Sequence, residues 1–193
     1  MSAPEHERAA MAAEAEAAQV SGSLPQSPRE LACANAPCAT AAVRQTEDSR
    51  HLLDLATKHR AAASELRDAE QSACVGIPGD VRDVSPLAAP VAILVTSPYE
   101  ERQGRYGKRL RGAVLEISAA PGLTAEKLRR AIVCHMAHVA GTPSRDPLCP
   151  LAVGGASSEV ELKGARLTVR IAAGDRKAAE EIWRRARTLF GER

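Results

Sequence analysis

Between Gly122 and Gly141 the chain reads GLTAEKLRRAIVCHMAHVAG, which gathers Cys134, His135, Met136 and His138 into one short stretch. Thiolate and imidazole together form a donor set suited to copper(I) or zinc. At roughly 100° per residue in a helix, Cys134, His135 and His138 fall within an arc of roughly 100° on one side. Cys134 and His138 are i,i+4 neighbours and His135 and His138 i,i+3 neighbours, so their side chains can converge. Met136 falls on the far shoulder. The same residue types also have a plainer, structural use, which is the commoner one. An unligated Cys often behaves as a small buried hydrophobe. His135 sits near the centre of the apolar stripe Leu128, Ala131, Ile132, His135 and Val139, where a core histidine needs one hydrogen-bond partner. A metal centre would need at least one ligand from elsewhere, with His59 or Cys149 as the candidates, and an outer shell to orient the imidazoles.

The element that must position these groups is a helix. Thr124 is a good N-cap, Glu126 and Lys127 follow it, and Gly141 before Thr142-Pro143 is a stop. A second helical pattern runs from Glu47 to Cys74. Leu52, Leu55, His59, Ala62, Leu66, Ala69 and Ala73 recur in steps of three and four, an a/d seam of about three heptads. It reads as a long helix laid on the sheet or paired in a hairpin, with a weak coiled-coil dimer as the alternative. His59 occupies a seam position and must be buried, satisfied or used; His51 lies two turns upstream on the same flank.

The five cysteines are Cys33, Cys38, Cys74, Cys134 and Cys149, an odd number that allows at most two disulfides. No C-x-x-C is present, so thioredoxin-like redox chemistry and zinc-ribbon knuckles are unsupported. Cys33 and Cys38 bracket a small loop that could close as a local bridge in an oxidising compartment. A Cys134–Cys149 or Cys74–Cys149 bridge would disable the metal centre.

The chain of 193 residues is 45% hydrophobic, much of it alanine, and only 2% aromatic, so its core must be built from Leu, Ile, Val and Ala. A formal net charge of +2 gives no global field for nucleic acid or a membrane surface. No apolar run reaches the eighteen or so residues of a membrane span. Glu5, Glu7, Glu14 and Glu16 stand where a signal peptide would be basic and then apolar. The expected location is periplasmic or secreted if the chain is a mature form, and cytoplasmic if Met1 is its native start.

In chain order, residues 1–46 read as an unstructured or weakly helical arm, alanine-rich at first and then linker-like at Ser21–Pro28. Residues 47–76 form the long amphipathic helix. Cys74–Pro90, with three prolines and two glycines, reads as an irregular loop. Within it, Cys74-Val75-Gly76-Ile77-Pro78 followed by Arg82-Asp83-Val84-Ser85-Pro86 resembles uncharacterised exported proteins of GC-rich bacteria, over roughly His59 to Cys149. The resemblance implies an extracytoplasmic home and no established activity.

Val91–Thr96 and Leu110–Ala119 read as strands. The Tyr99–Arg111 stretch between them, with five basic residues and two tyrosines, reads as a solvated hairpin loop, its weaker alternative being a surface that tracks phosphates and stacks bases. Val160–Lys163 and Arg166–Ala172 alternate as a second hairpin. Asp175 caps a last helix with the stripe Ala178, Ala179, Ile182, Trp183, Ala186, Leu189 and Phe190. The order β-β-α-β-β-α over residues 77–193 predicts an α+β two-layer sandwich, a four-stranded antiparallel sheet with helices on one face, preceded by the long helix.

The leading expectation is a non-enzymatic copper- or zinc-binding protein of the bacterial envelope, with Cys134, His138 and His135 as ligands and His59 or Cys149 completing the set. The alternative is a disulfide-stabilised module that binds a protein partner, or a second copy of itself, through the 47–74 helix. An enzyme is the least supported class. There is no phosphate loop, nucleophile elbow or Ser/His/Asp arrangement, and a Cys134/His138 nucleophile pair would lack an oxyanion site.

Overall fold

The two-residue period of a strand puts Ala113, Leu115 and Ile117 on one face of a strand, and Leu167, Val169 and Ile171 on one face of another. The computed structural model describes residues 1–22, 36–88, 92–105, 107–118, 122–142 and 147–190. Among them, β1 (Ala92–Gln103) pairs with β2 (Gly107–Ser118), and β3 (Ala156–Lys163) with β4 (Arg166–Ala173). The two hairpins join through β2 and β4 into one antiparallel sheet of order β1-β2-β4-β3. Ala113 faces Ile171, Leu115 faces Val169 and Ile117 faces Leu167 across that central pair, and Val160 of β3 extends the row.

This buried row meets Leu128 and Ile132 of one helix (Ala125–Gly141) and Ile182 and Ala186 of another (Arg176–Phe190), all in a single core. The fold is therefore the α+β arrangement the strand and helix patterns predict, with both helices against one face of the sheet. The caps also fall where the sequence places them. Lys127 N donates to Thr124 Oγ1 at 3.2 Å, and Ala178 N to Asp175 Oδ2 at 2.8 Å. The side chain of Phe190 lies outside the described residues.

The first hairpin is longer than expected. β1 and β2 each have 12 residues and run through the basic stretch expected as a loop. Cross-strand charge explains this: Lys108 pairs with Glu100 at 2.9 Å and Arg111 with Glu101 at 3.3 Å. The register skips Arg111, since Tyr99 faces Gly112 and Glu100 faces Leu110. A glycine is needed at that bulge. Gly112 has φ +151°, and a Cβ there would stand 2.0 Å from the Ile171 carbonyl oxygen. Tyr106 lies outside the described residues.

The chain divides into two compact units, Met1–Leu66 and Arg67–Arg193. In the first, residues expected as an arm are largely helical. A helix spans Ala3–Gly22 (α1), and the long helix (α2, Ala36–Ala73) begins at Ala36 rather than Glu47. Ala3, Ala10 and Ala17 on α1, and Ser49, Ala56 and Ala63 on α2, recur every seventh residue and are buried. Residues this small let two helix backbones approach closely, which compensates for the poor apolar content of an alanine stripe. The helices run antiparallel, with His6 beside His59 and Ser21 beside Ser49. The expected seam is displaced: Leu52, Leu55, His59, Ala62 and Leu66 are half-buried flanks, and Ala69 is exposed. The short helix Gly79–Arg82 (α3) corrects the reading of residues 74–90 as wholly irregular. Pro78 supplies a preset φ of −58° before it, and the Arg82 guanidinium closes the turn on the Ile77 carbonyl at 3.0 and 3.1 Å.

Candidate functional site

The Ala125–Gly141 helix (α4) carries Arg130, Cys134 and His138 at successive i,i+4 positions, a single line along its surface. All three hold the segment 70–83. Arg130 Nη2 donates to the Val75 carbonyl at 3.0 Å. Cys134 is disulfide-bonded to Cys74, with Cα atoms 4.7 Å apart. His138 stands between two carboxylates, its Nδ1 at 2.7 Å from Glu70 Oε1 and its Nε2 at 2.7 Å from Asp83 Oδ1. Glu70 on α2 and Cys74 just past its end are themselves i,i+4, with Cys74 N donating to the Glu70 carbonyl at 2.9 Å, so the disulfide and the histidine clamp lie one helical turn apart between two antiparallel segments. Gly141 permits this, because a Cβ there would come within 2.7 Å of Glu70 Oε2.

Partial burial of His138 disfavours its charged form, but the bonds to Glu70 and Asp83 outweigh this and raise its pKa above the ordinary value. The clamp is thus an imidazolium held by carboxylates from two different segments.

His135 turns to the other side of the line and is 2% exposed. Its Nδ1 lies 3.0 Å from the Arg82 carbonyl, which can only accept, so Nδ1 carries a proton. Its Nε2 faces Cys149 Sγ at 3.5 Å, and Ser85 Oγ lies 3.4 Å from the same sulfur. Cys149 is a buried thiol, and Arg185 Nη1 holds its carbonyl at 3.1 Å. Arg184 and Arg185 in turn lower the pKa of Glu181 to about 2. This Ser85–His135–Cys149 cluster combines a thiol, an imidazole and a hydroxyl, but its members are at most 5% exposed. It serves to hold the residues before α4 against those after it.

The expected ligand set is therefore not assembled. The sulfur of Cys134 is spent in a disulfide, which also removes it as a nucleophile. His138 is engaged by Glu70 and Asp83, while His135 and Cys149 face each other in the core. His59 contacts His6 in the first unit. Among the described residues, no group of three or more His, Cys, Asp or Glu side chains is placed to hold a metal ion. The disulfide also differs from both expected pairings of Cys149, because Cys74 takes Cys134 instead. Cys33 and the side chain of Cys38 lie outside the described residues.

Glu70 and Arg130 were not singled out by the sequence patterns, and Asp83 and Ser85 stood out only within the Arg82–Pro86 stretch. The one available signal was the matching i,i+4 spacing of Glu70/Cys74 and Cys134/His138, a charge and a thiol on each side. On the outer face of the sheet, the Arg170 guanidinium stacks over Tyr99 at 5.0 Å and pairs with Glu159 at 2.5 Å. In the hairpin itself, Lys108 and Arg111 have Glu100 and Glu101 as acidic partners, and Arg109 donates to the Gly174 carbonyl at 2.7 Å. Among the described helices, none is long and apolar enough to cross a membrane. No protein-family model, curated protein or solved structure matches the chain.

Proposed function

We propose that this chain is a disulfide-fastened protein-interaction module of an oxidising compartment, with the 47–74 stretch of α2 as its partner-binding element. The observation that carries this reading is the buried Cys74–Cys134 bond, which anchors the end of that helix to α4. A disulfide of this kind persists in the periplasm or outside the cell and is rare where thiols are kept reduced. Every ligand-type residue in line with it on α4 is used to reinforce the same attachment, which fits a rigid mount better than a metal exchanger. The helix it mounts offers a polar surface broken by Leu53, which is 49% exposed. The partner class is a protein surface, a second copy of this chain included.

The test is photo-crosslinking of the oxidised chain in its source cells. A crosslinking residue replacing Leu53 should give a discrete protein adduct, and one replacing Leu162, exposed on β3, should not. Peptide mapping without reductant should recover the Cys74–Cys134 linkage from the same material. Equal labelling at both positions, or none at Leu53, would sink the proposal. Copper or zinc at α4 would require the disulfide to open, so stoichiometric metal on the reduced protein that is lost in His138→Gln would restore the metal-binding reading.

A further inference from the structure

The residues from Cys74 to Leu87 run as a strap from the flank of α4 to the core around Cys149. Near its start the strap is fastened to α4 by the Cys74–Cys134 disulfide, by Arg130 on the Val75 carbonyl and by His138 on Asp83. Further along, it seals a thiol. The Arg82 carbonyl lies 3.0 Å from His135 Nδ1, Ser85 Oγ lies 3.4 Å from Cys149 Sγ, and Leu87 shares the core with Cys149. Cys149 is 0% exposed and His135 2%. Because Nδ1 of His135 carries its proton, Nε2 presents a lone pair to the Cys149 thiol at 3.5 Å. A nucleophile beside an oriented base is a reactive arrangement. Here it is shut from solvent by a segment whose covalent fastening is one disulfide.

We propose that Cys149 is a latched modification site, a thiol that takes up a small disulfide once the Cys74–Cys134 bond is reduced and the strap lifts. A dithiol opens the latch: it is oxidised to its own disulfide while Cys74 and Cys134 become thiols. Both sulfurs of the bond are buried, but the adjoining Val75 and Val133 are 67% and 46% exposed, so the bond lies close beneath the surface. With the strap lifted, water replaces the Arg82 carbonyl and the Ser85 hydroxyl as polar partners. His135 stays on α4, and Arg185 of the last helix still holds the Cys149 carbonyl, so base and thiol remain together. His135 Nε2 then takes the thiol proton, and the thiolate attacks one sulfur of the incoming disulfide. That S–S bond breaks as the mixed disulfide on Cys149 forms, and the departing thiolate takes the proton from His135. The latch uses the same Cys74–Cys134 bond as the mounting of α2 but needs no partner on that helix.

The experiment compares the full oxidised chain with an open form carrying Cys74→Ser and Cys134→Ser. Each is exposed to oxidised glutathione at neutral pH, quenched in acid and mapped for the mixed disulfide at Cys149. Cys149 should be protected in the oxidised chain and react about tenfold faster or more in the open form, because local opening no longer has to work against the crosslink. Adding His135→Gln to the open form should slow the reaction about tenfold or more at neutral pH and by less in alkali, where solvent takes the thiol proton. The open-form rate should not respond to low urea, since only the strap moves. A rate that climbs from the first addition of urea would mean that Cys149 is reached by global unfolding, and would overturn the latch. Equal protection or equal reaction in the two chains would do the same, and a His135→Gln loss unchanged by alkali would remove the base.

Discussion

The two units solve the same problem, burying enough surface to order a helix, with opposite means. In Met1–Leu66 the buried line is Ala3, Ala10 and Ala17 against Ser49, Ala56 and Ala63, and what it gains is close backbone approach rather than buried area. In Arg67–Arg193 the core is Leu115, Ile117, Leu128, Ile132, Leu167, Ile171 and Ile182, and a covalent bond is added to it. The lesson is that the end of α2 lies beyond the alanine seam and outside the branched core. It is held instead by chemistry: a disulfide, an imidazolium and a guanidinium on one line of α4.

The sharpest way to break this contrast is to remove the covalent bond. Cys74→Ser with Cys134→Ser releases a closure of 60 residues, which chain entropy values at about 4 kcal/mol. Urea unfolding should register that loss in the sandwich transition, and a change below about 1 kcal/mol would mean that the bond does not constrain the unfolded chain. The core rules should then invert between the units. Ile132→Ala in the sandwich should cost about 2–5 kcal/mol by leaving a cavity. Ala56→Leu in the seam should cost about 1–3 kcal/mol by forcing the helices apart. Hydrogen exchange locates each effect, and an Ala56→Leu chain as stable as its parent would show that the seam is not closely packed.

The smallest expected effect is that of the histidine clamp. The folded pKa of His138 is raised, so its contribution is complete below the unfolded value near about 6.5 and disappears as pH rises through the folded value. His138→Gln should therefore cost about 1–2 kcal/mol in mild acid and progressively less in alkali. Thermal melts across that range in parent and variant test the sign. A His138→Gln penalty that grows with pH would contradict a clamp held by Glu70 and Asp83.

Much of the second unit was legible from residue patterns. The alternation in β2 and β4, the stripe of the last helix and the caps at Thr124 and Asp175 are local signals, and each gave the right element. The α4 residues were legible as candidates, but the expected convergence is not formed: Cys134 and His138 turn to the 70–83 segment and His135 to Cys149. The partners Glu70, Cys74 and Asp83 lie 55–68 positions from the α4 residues they bind, and five cysteines leave the pairing open. The first unit was harder to read, because an alanine stripe carries little hydrophobic contrast. Nothing local to residues 3–22 states that a second alanine line exists for it to meet.

By itself, then, the sequence determined the sheet, its two covering helices and the placing of Cys134, His135 and His138 on one of them, α4. These follow from periodicity, which is written into neighbouring residues. Only the tertiary structure decided which sulfur Cys134 would take, that His138 would sit between Glu70 and Asp83, and that His59 would face His6. Those choices depend on which distant segments are brought within bonding distance, and chain topology sets that, not local pattern.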